Sequence, residues 1–186
     1  KTKVTEIKSG FFYKDPEYKL QALPLKHSIP CLGYSFVESD KRKINTEYLK
    51  KFNLVNDPII KKLQMGKDIS YNKQKIKASL ATTIQKGKKV TLVTDTTYHP
   101  NAIKLAKDAD LFICESTHAK ELQEKSKQYF HMTSIDAASL AKKAKVKQLI
   151  LTHFSQRYND AKTLEMEAKE VFKNTIAAYD FLKINL

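Results

Sequence analysis

Three short apolar runs in the second half of the chain each end in a residue able to bind a metal or move a proton. Val90–Val93 is followed by Asp95, Leu111–Cys114 by Glu115, and Val146–Leu151 by His153. Two more histidines join them: His27 after Leu23-Pro24-Leu25, and His131 just before Ser134. An aspartate after a strand commonly forms a turn or caps a helix, and a single histidine is commonly a surface or core residue, so none carries an argument alone. Three independent runs ending alike do. In an open α/β sheet the carboxyl ends of parallel strands line one crevice, so groups placed there converge. Imidazole with carboxylate suits Zn²⁺ or Mn²⁺, and a carboxylate can bridge two such ions. A two-metal site activates water and steadies the leaving oxygen of a phosphodiester. The spacing implies a metal or acid–base crevice and stops short of a reaction.

Positioning these groups requires a sheet with helical connections. Apolar periodicity predicts helices over about residues 100–107, 134–144 and 162–172, and alternation over 177–185 predicts a last strand. Strand–helix alternation of this kind implies an α/β sheet covered by helices, with right-handed crossovers between parallel neighbours. Residues 1–40 differ: Val4 to Ile7, Phe11-Phe12, Tyr18–Leu25 and Gly33–Val37 look like short β-segments, with turns at Asp15-Pro16 and Ile29-Pro30. Residues 41–80 are polar, basic and weakly periodic. They are expected to project from the body as an insertion with short helices over about 46–52 and 58–65.

The charge supports that division. Of the net +14, residues 41–90 carry 14 Lys/Arg against Glu47, Asp57 and Asp68, whereas residues 91–186 carry 14 against 12 acids. A scattered lysine excess is a solvated surface, but this concentration makes a local field suited to a polyanion. No run approaches the ~18–20 apolar residues of a membrane span, and no secretory signal is apparent. The two cysteines, Cys31 and Cys114, are far apart, which argues against a disulfide framework and for a reducing cytoplasm. The chain begins Lys1-Thr2-Lys3 rather than with Met, which fits processing, a tag or a fragment whose natural start lies upstream.

Several motifs occur in a recognisable order. They are Pro24-Leu25-Lys26-His27, Gly33-Tyr34, Asp95-Thr96, Glu115-Ser116-Thr117, His131-Met132-Thr133, and Thr152-His153-Phe154-Ser155-Gln156-Arg157-Tyr158, with the tail Val171-Phe172-Lys173-Asn174 and Ala178-Tyr179-Asp180. Over essentially its whole length the chain resembles bacterial ribonuclease Z. The resemblance implies the α/β metallo-β-lactamase αββα sandwich, and two zinc ions per active site. It makes His27 a ligand of one zinc, Asp95 the bridging carboxylate and His153 a ligand of the other. His131 becomes the histidine that assists catalysis, with Glu115 as its carboxylate partner. Ser155, Arg157 and Thr96 are expected to face the substrate. Lys61, Lys62 and Lys67 are expected to grip it from the basic insertion, the family's flexible arm. The implied substrate is precursor tRNA, cut on the 3′ side of the discriminator base, and the implied assembly is a homodimer.

Two departures stand out. The arm's frequent Gly-Pro is Asp57-Pro58, expected to loosen that turn, and the Gly usual before Asp-Thr is Thr94, which brings a Cβ beside the metal loop. The larger one is that the family's His-x-His-x-Asp-His signature does not occur, since histidines stand only at 27, 99, 118, 131 and 153. The resemblance therefore implies a partial metallo-β-lactamase domain over 1–186 that lacks the N-terminal part of the fold. Alone, it is expected to bind little zinc and cleave nothing. Two competing readings are a non-catalytic tRNA-binding fragment or degenerate half of such an enzyme, and a hydrolase of the same fold acting on a small substrate. The basic segment argues against the second.

Overall fold

Branched and aromatic residues fill the strands of the second half, while alanine and serine crowd the helices between them, so helix backbones can approach the sheet closely. The computed structural model describes residues 4–186; Lys1-Thr2-Lys3 lie outside the described residues. In chain order the first elements are β1 (Gly10–Lys14), β2 (Tyr18–Leu25), β3 (Cys31–Glu38), β4 (Lys41–Ile44), α1 (Thr46–Lys50) and α2 (Ile60–Gln64). Next come β5 (Ile69–Tyr71), β6 (Gln74–Ile76), α3 (Ala78–Ala81), β7 (Thr82–Gln85), β8 (Lys89–Val93) and α4 (Pro100–Ala106). The last are β9 (Leu111–Glu115), α5 (Gln123–Gln128), α6 (Ser134–Ala144), β10 (Gln148–Thr152), α7 (Lys162–Val171) and β11 (Thr175–Ala177).

Two compact units result, one of residues up to Glu38 with Lys88–Leu186, the other Ser39–Gly87. The first holds a seven-stranded sheet in the order β1-β2-β3-β8-β9-β10-β11. Strands β8 to β11 run parallel, and β1 to β3 join antiparallel. One face is covered: Val93, Phe112, Cys114, Leu149 and Leu151 pack with Leu105 of α4, Leu140 of α6 and Leu164 of α7 in one core. Gly33 is required here, because a Cβ would stand 3.0 Å from Leu105 Cδ2 and 3.2 Å from Val93 Cγ2. Helix α6 opens with a reciprocal cap in which Thr133 and Asp136 each bond the other's backbone N–H.

The other face of the sheet carries a cross-strand apolar row in register, Ala22, Tyr34, Leu92, Ile113, Ile150 and Ile176. Tyr34 and Leu92 are 42% and 40% exposed, and Phe36 in the adjacent row 37%. The chain thus builds one helix layer and one sheet of the expected sandwich.

The last strand expected over 177–185 does not form: β11 lies upstream, at Thr175–Ala177, and ends where the expected one begins. Ala178 N–H makes a final bond to Leu151 O, then Phe181 turns left-handed, leaving Tyr179 and Phe181 in solvent. No strand forms over Val4 to Ile7.

The second unit is better ordered than its weak periodicity suggested. Helices occur where two were expected, and four short strands were missed, pairing as β4–β7 and β5–β6. Leu49, Leu54, Leu63, Ile69, Ile76, Ala78 and Ala81 form its own buried cluster. It carries 12 Lys/Arg against four acids, and Lys61, Lys62 and Lys67 are exposed. At the Asp57-Pro58 turn the Asp57 carboxylate accepts the Ile59 N–H at 2.8 Å.

Candidate metal and acid–base site

Parallel neighbours β8, β9 and β10 deliver Asp95, Glu115 and His153 to one end of the sheet, and two loops bring in His27 and His131. Asp95 Oδ1 is their meeting point: His153 Nε2 lies 3.5 Å away, His27 Nε2 3.9 Å and His131 Nδ1 3.9 Å. The rings of His27 and His131, and of His131 and His153, are each 5.4 Å apart. Asp95, Phe130 and His153 adopt left-handed backbones, φ +53°, +61° and +59°. Such conformations are unfavourable for bulky residues and persist where surrounding bonds hold them. Here Phe130 O contacts His27 Nδ1 at 3.3 Å, and His153 O lies 3.0 Å from the Thr117 hydroxyl oxygen. Thr94 lies outside the left-handed region, so its Cβ brings no backbone strain of that kind.

Glu115 is fully buried, and every contact to its carboxylate is a donor. Oε1 accepts the Thr96 N–H; Oε2 accepts the Met132 N–H at 3.0 Å and the Thr117 hydroxyl at 2.8 Å. His131 Nδ1 completes the set, 3.2 Å from Oε2. This pairing orients His131 with Nδ1–H on Glu115 and Nε2 free to act elsewhere.

The donor set fits a metal. A tetrahedral ion with bonds of about 2.0–2.1 Å holds its donors roughly 3.4 Å apart, and Asp95, His131 and His153 offer one atom each, all within 4.8 Å of one another. His131 is already engaged by Glu115, which leaves His27 and His153 as the imidazoles flanking Asp95 without a carboxylate of their own.

Among the remaining expected residues, Thr96 needs correction as a substrate contact. It is fully buried, and its hydroxyl is spent on Lys26 N–H and Lys26 O, so it pins the His27 loop to the Asp95 loop. Arg157 and Ser155 stay at the surface, joined by an Nε–Oγ bond of 3.0 Å. Sequence reasoning missed His118, which is 5% exposed with Nδ1 2.8 Å from Ser126 Oγ. Burial, with Arg157 nearby, pushes His118 below the usual imidazole range. Burial, with Asp95 and Glu115 nearby, pushes the Cys31 thiol up. A cleft of about 560 Å³ opens between Lys26, Tyr98, Lys127 and Phe130.

A sheet with helices on one face and a His/Asp cluster at its carboxyl edge defines a class, and the comparisons agree on it. The β-lactamase superfamily domain family matches residues 64–154, which include Asp95, Glu115, His131 and His153. The short form of human tRNase Z superposes with a TM-score of 0.59 at 24% identity, covering 96% of this chain and 47% of that one. The metallo-β-lactamase fold protein YhfI of Bacillus subtilis gives 0.57 at 18%, over 90% and 48%. The chain has the metallo-β-lactamase fold, which implies a metal ion. Curated relatives narrow this. Ribonuclease Z of Protochlamydia amoebophila is 37% identical over 96% of this chain and 60% of its own length. That of Borreliella burgdorferi is 43% identical over 85% and 50%, and that of Bacillus subtilis 34% over 98% and 61%. Over 85–98% of its own length the chain is similar to ribonuclease Z, and it spans about 50–61% of the length of these relatives.

Proposed function

We propose that the protein to which these residues belong is a zinc-dependent endoribonuclease that removes the 3′ trailer of precursor tRNA, cutting on the 3′ side of the discriminator base. The observation that carries this reading is His131, backed by the buried Glu115 and set beside Asp95, His27 and His153. His27, Asp95 and His153 would hold zinc. Zinc when bound supplies Lewis-acid activation of water and of the scissile phosphate. As the P–O3′ bond breaks, His131 gives the Nε2 proton to the departing 3′ oxygen, while Glu115 stabilises the imidazolium through Nδ1–H. Arg157 suits phosphate oxygens through its guanidinium fork, and Lys61, Lys62 and Lys67 take the tRNA backbone further away.

Three donors cannot fill two zinc sites, so the remaining ligands are assigned to a segment beyond these 186 residues. The bare apolar face of the sheet, with Tyr34, Phe36 and Leu92, is the surface on which such a segment would pack. We assign the assembly as a homodimer in the cytoplasm; among the described residues no helix is long and apolar enough to cross a membrane. The test is cleavage of an end-labelled precursor tRNA by the full-length protein with zinc. The product should end at the discriminator nucleotide, and Asp95→Ala should abolish it. The 186 residues alone are expected to be inactive; robust turnover would overturn the need for further ligands.

A further inference from the structure

We infer that Thr117 is a positioning residue that fixes the tautomer of His153 and holds its Nε2 lone pair toward Asp95. The inference concerns how that imidazole is prepared, and its link to zinc rests on the proposed reading of the site. Thr117 Oγ1 has three polar neighbours: Glu115 Oε2 at 2.8 Å, His153 O at 3.0 Å and His153 Nδ1 at 3.1 Å. A hydroxyl has one proton to donate and two lone pairs to accept with. The carboxylate and the carbonyl can only accept. If the single proton were spent on His153 Nδ1, both of those oxygens would face a lone pair inside the protein, a costly arrangement. The opposite assignment leaves only one acceptor underserved. His153 Nδ1–H donates to Oγ1, and Oγ1–H donates to the nearer, charged Glu115 Oε2.

Nε2 of His153 is then unprotonated and faces Asp95 Oδ1, 3.5 Å away. That is the tautomer a metal-binding imidazole needs, and it is the one normally set by a bond to the other nitrogen. The same residue also secures the backbone, because Thr117 O accepts the Ser155 N–H at 3.0 Å. Both ends of the left-handed turn at His153 are therefore tied to Thr117. Glu115 becomes a shared anchor, touching His131 directly and His153 through one hydroxyl.

The test reads the tautomer without relying on metal. The full-length protein, freed of metal and labelled with ¹⁵N at histidine, is examined by long-range ¹H–¹⁵N correlation in the wild type, Thr117→Ser and Thr117→Val. Wild type and Thr117→Ser should place the neutral-imidazole proton of His153 on Nδ1, and Thr117→Val should lose that preference while backbone amide spectra remain native-like. A proton on Nε2 in the wild type, or an unchanged tautomer in Thr117→Val, overturns the inference. If Thr117→Val does not fold, the wild-type and Thr117→Ser spectra still decide it. Competition titration of the full-length protein with zinc follows, with His153→Ala as the floor. Thr117→Val should lose roughly 10–100-fold in affinity, and Thr117→Ser should recover most of it. If the wild type binds zinc no better than His153→Ala, the metal reading fails, and the tautomer spectra alone judge Thr117.

Discussion

With Nδ1 3.2 Å from a carboxylate that has no solvent contact, His131 has one nitrogen committed and one available. Removing the ring should therefore damage the chemical step more than metal loading. His131→Ala is expected to lower single-turnover cleavage of precursor tRNA by about 10²–10⁴-fold, with zinc content by elemental analysis near that of the parent. Equal loss of zinc would make His131 a ligand instead. Glu115→Gln changes little in size, yet its amide must point NH₂ at a place where every existing neighbour donates. It should destabilise the chain by about 1–3 kcal/mol, read from the urea midpoint. The same residue illustrates what a sequence can yield at this scale. Asp95, Glu115 and His153 are legible because each ends an apolar run, and His131 through its motif. Thr117's hydroxyl and the buried Thr96 leave no such trace, since their partners are 36 and 70 positions away.

At the scale of elements, the caps and strand-edge charges can be tested separately. Thr133→Ala removes the side-chain acceptor at the start of α6 and should cost about 1 kcal/mol by thermal unfolding. Asp110, before β9, accepts the Lys89 N–H at 2.8 Å and the Lys147 ammonium at 2.7 Å. Burial would raise its carboxyl, but these two bonds outweigh it and hold the group below the usual range. Because the folded value is lower than the unfolded one, the stabilisation is present at neutral pH and lost as pH falls through the folded value. Asp110→Asn should thus lower stability at pH 7 by about 1–2 kcal/mol. In urea titrations the gap should close in strongly acidic solution. Helices α4, α6 and α7 were readable because their apolar stripes run for two or more turns. Strands β4 to β7 are three or four residues long, too short for alternation to register, and are held by tertiary burial of residues such as Leu63 and Ile76. The tail misled for the reverse reason: it alternates, but Tyr179 and Phe181 have no layer to pack on.

On the proposed reading, the candidate site lies in the first unit and the denser basic charge in Ser39–Gly87, so catalysis and tRNA gripping should separate experimentally. In the full-length protein, replacing Lys61, Lys62 and Lys67 together by alanine should weaken tRNA binding and flatten its dependence on salt. Filter-binding slopes of log K against log salt should fall by up to about 2–3, one phosphate contact per lysine. Hydrolysis of a small phosphodiester should stay near the parent rate. Equal losses on both substrates would count against a gripping role for Ser39–Gly87.

That unit enters and leaves the chain between β3 and β8, which are direct antiparallel neighbours. Its two ends are fastened together where Glu38 N–H donates to Lys88 O at 2.8 Å and the Glu38 carboxylate accepts the Lys88 N–H at 3.0 Å. In polymer terms, the insertion is a long hairpin loop whose stem closes without it. Loop-closure entropy grows only slowly with length, so such a stem tolerates inserts of very different size and can exchange one for another. Grafting a tight Asn-Gly turn at this stem should leave the sheet folded. The insertion can therefore vary while the strand ends bearing Asp95, Glu115 and His153 stay in register.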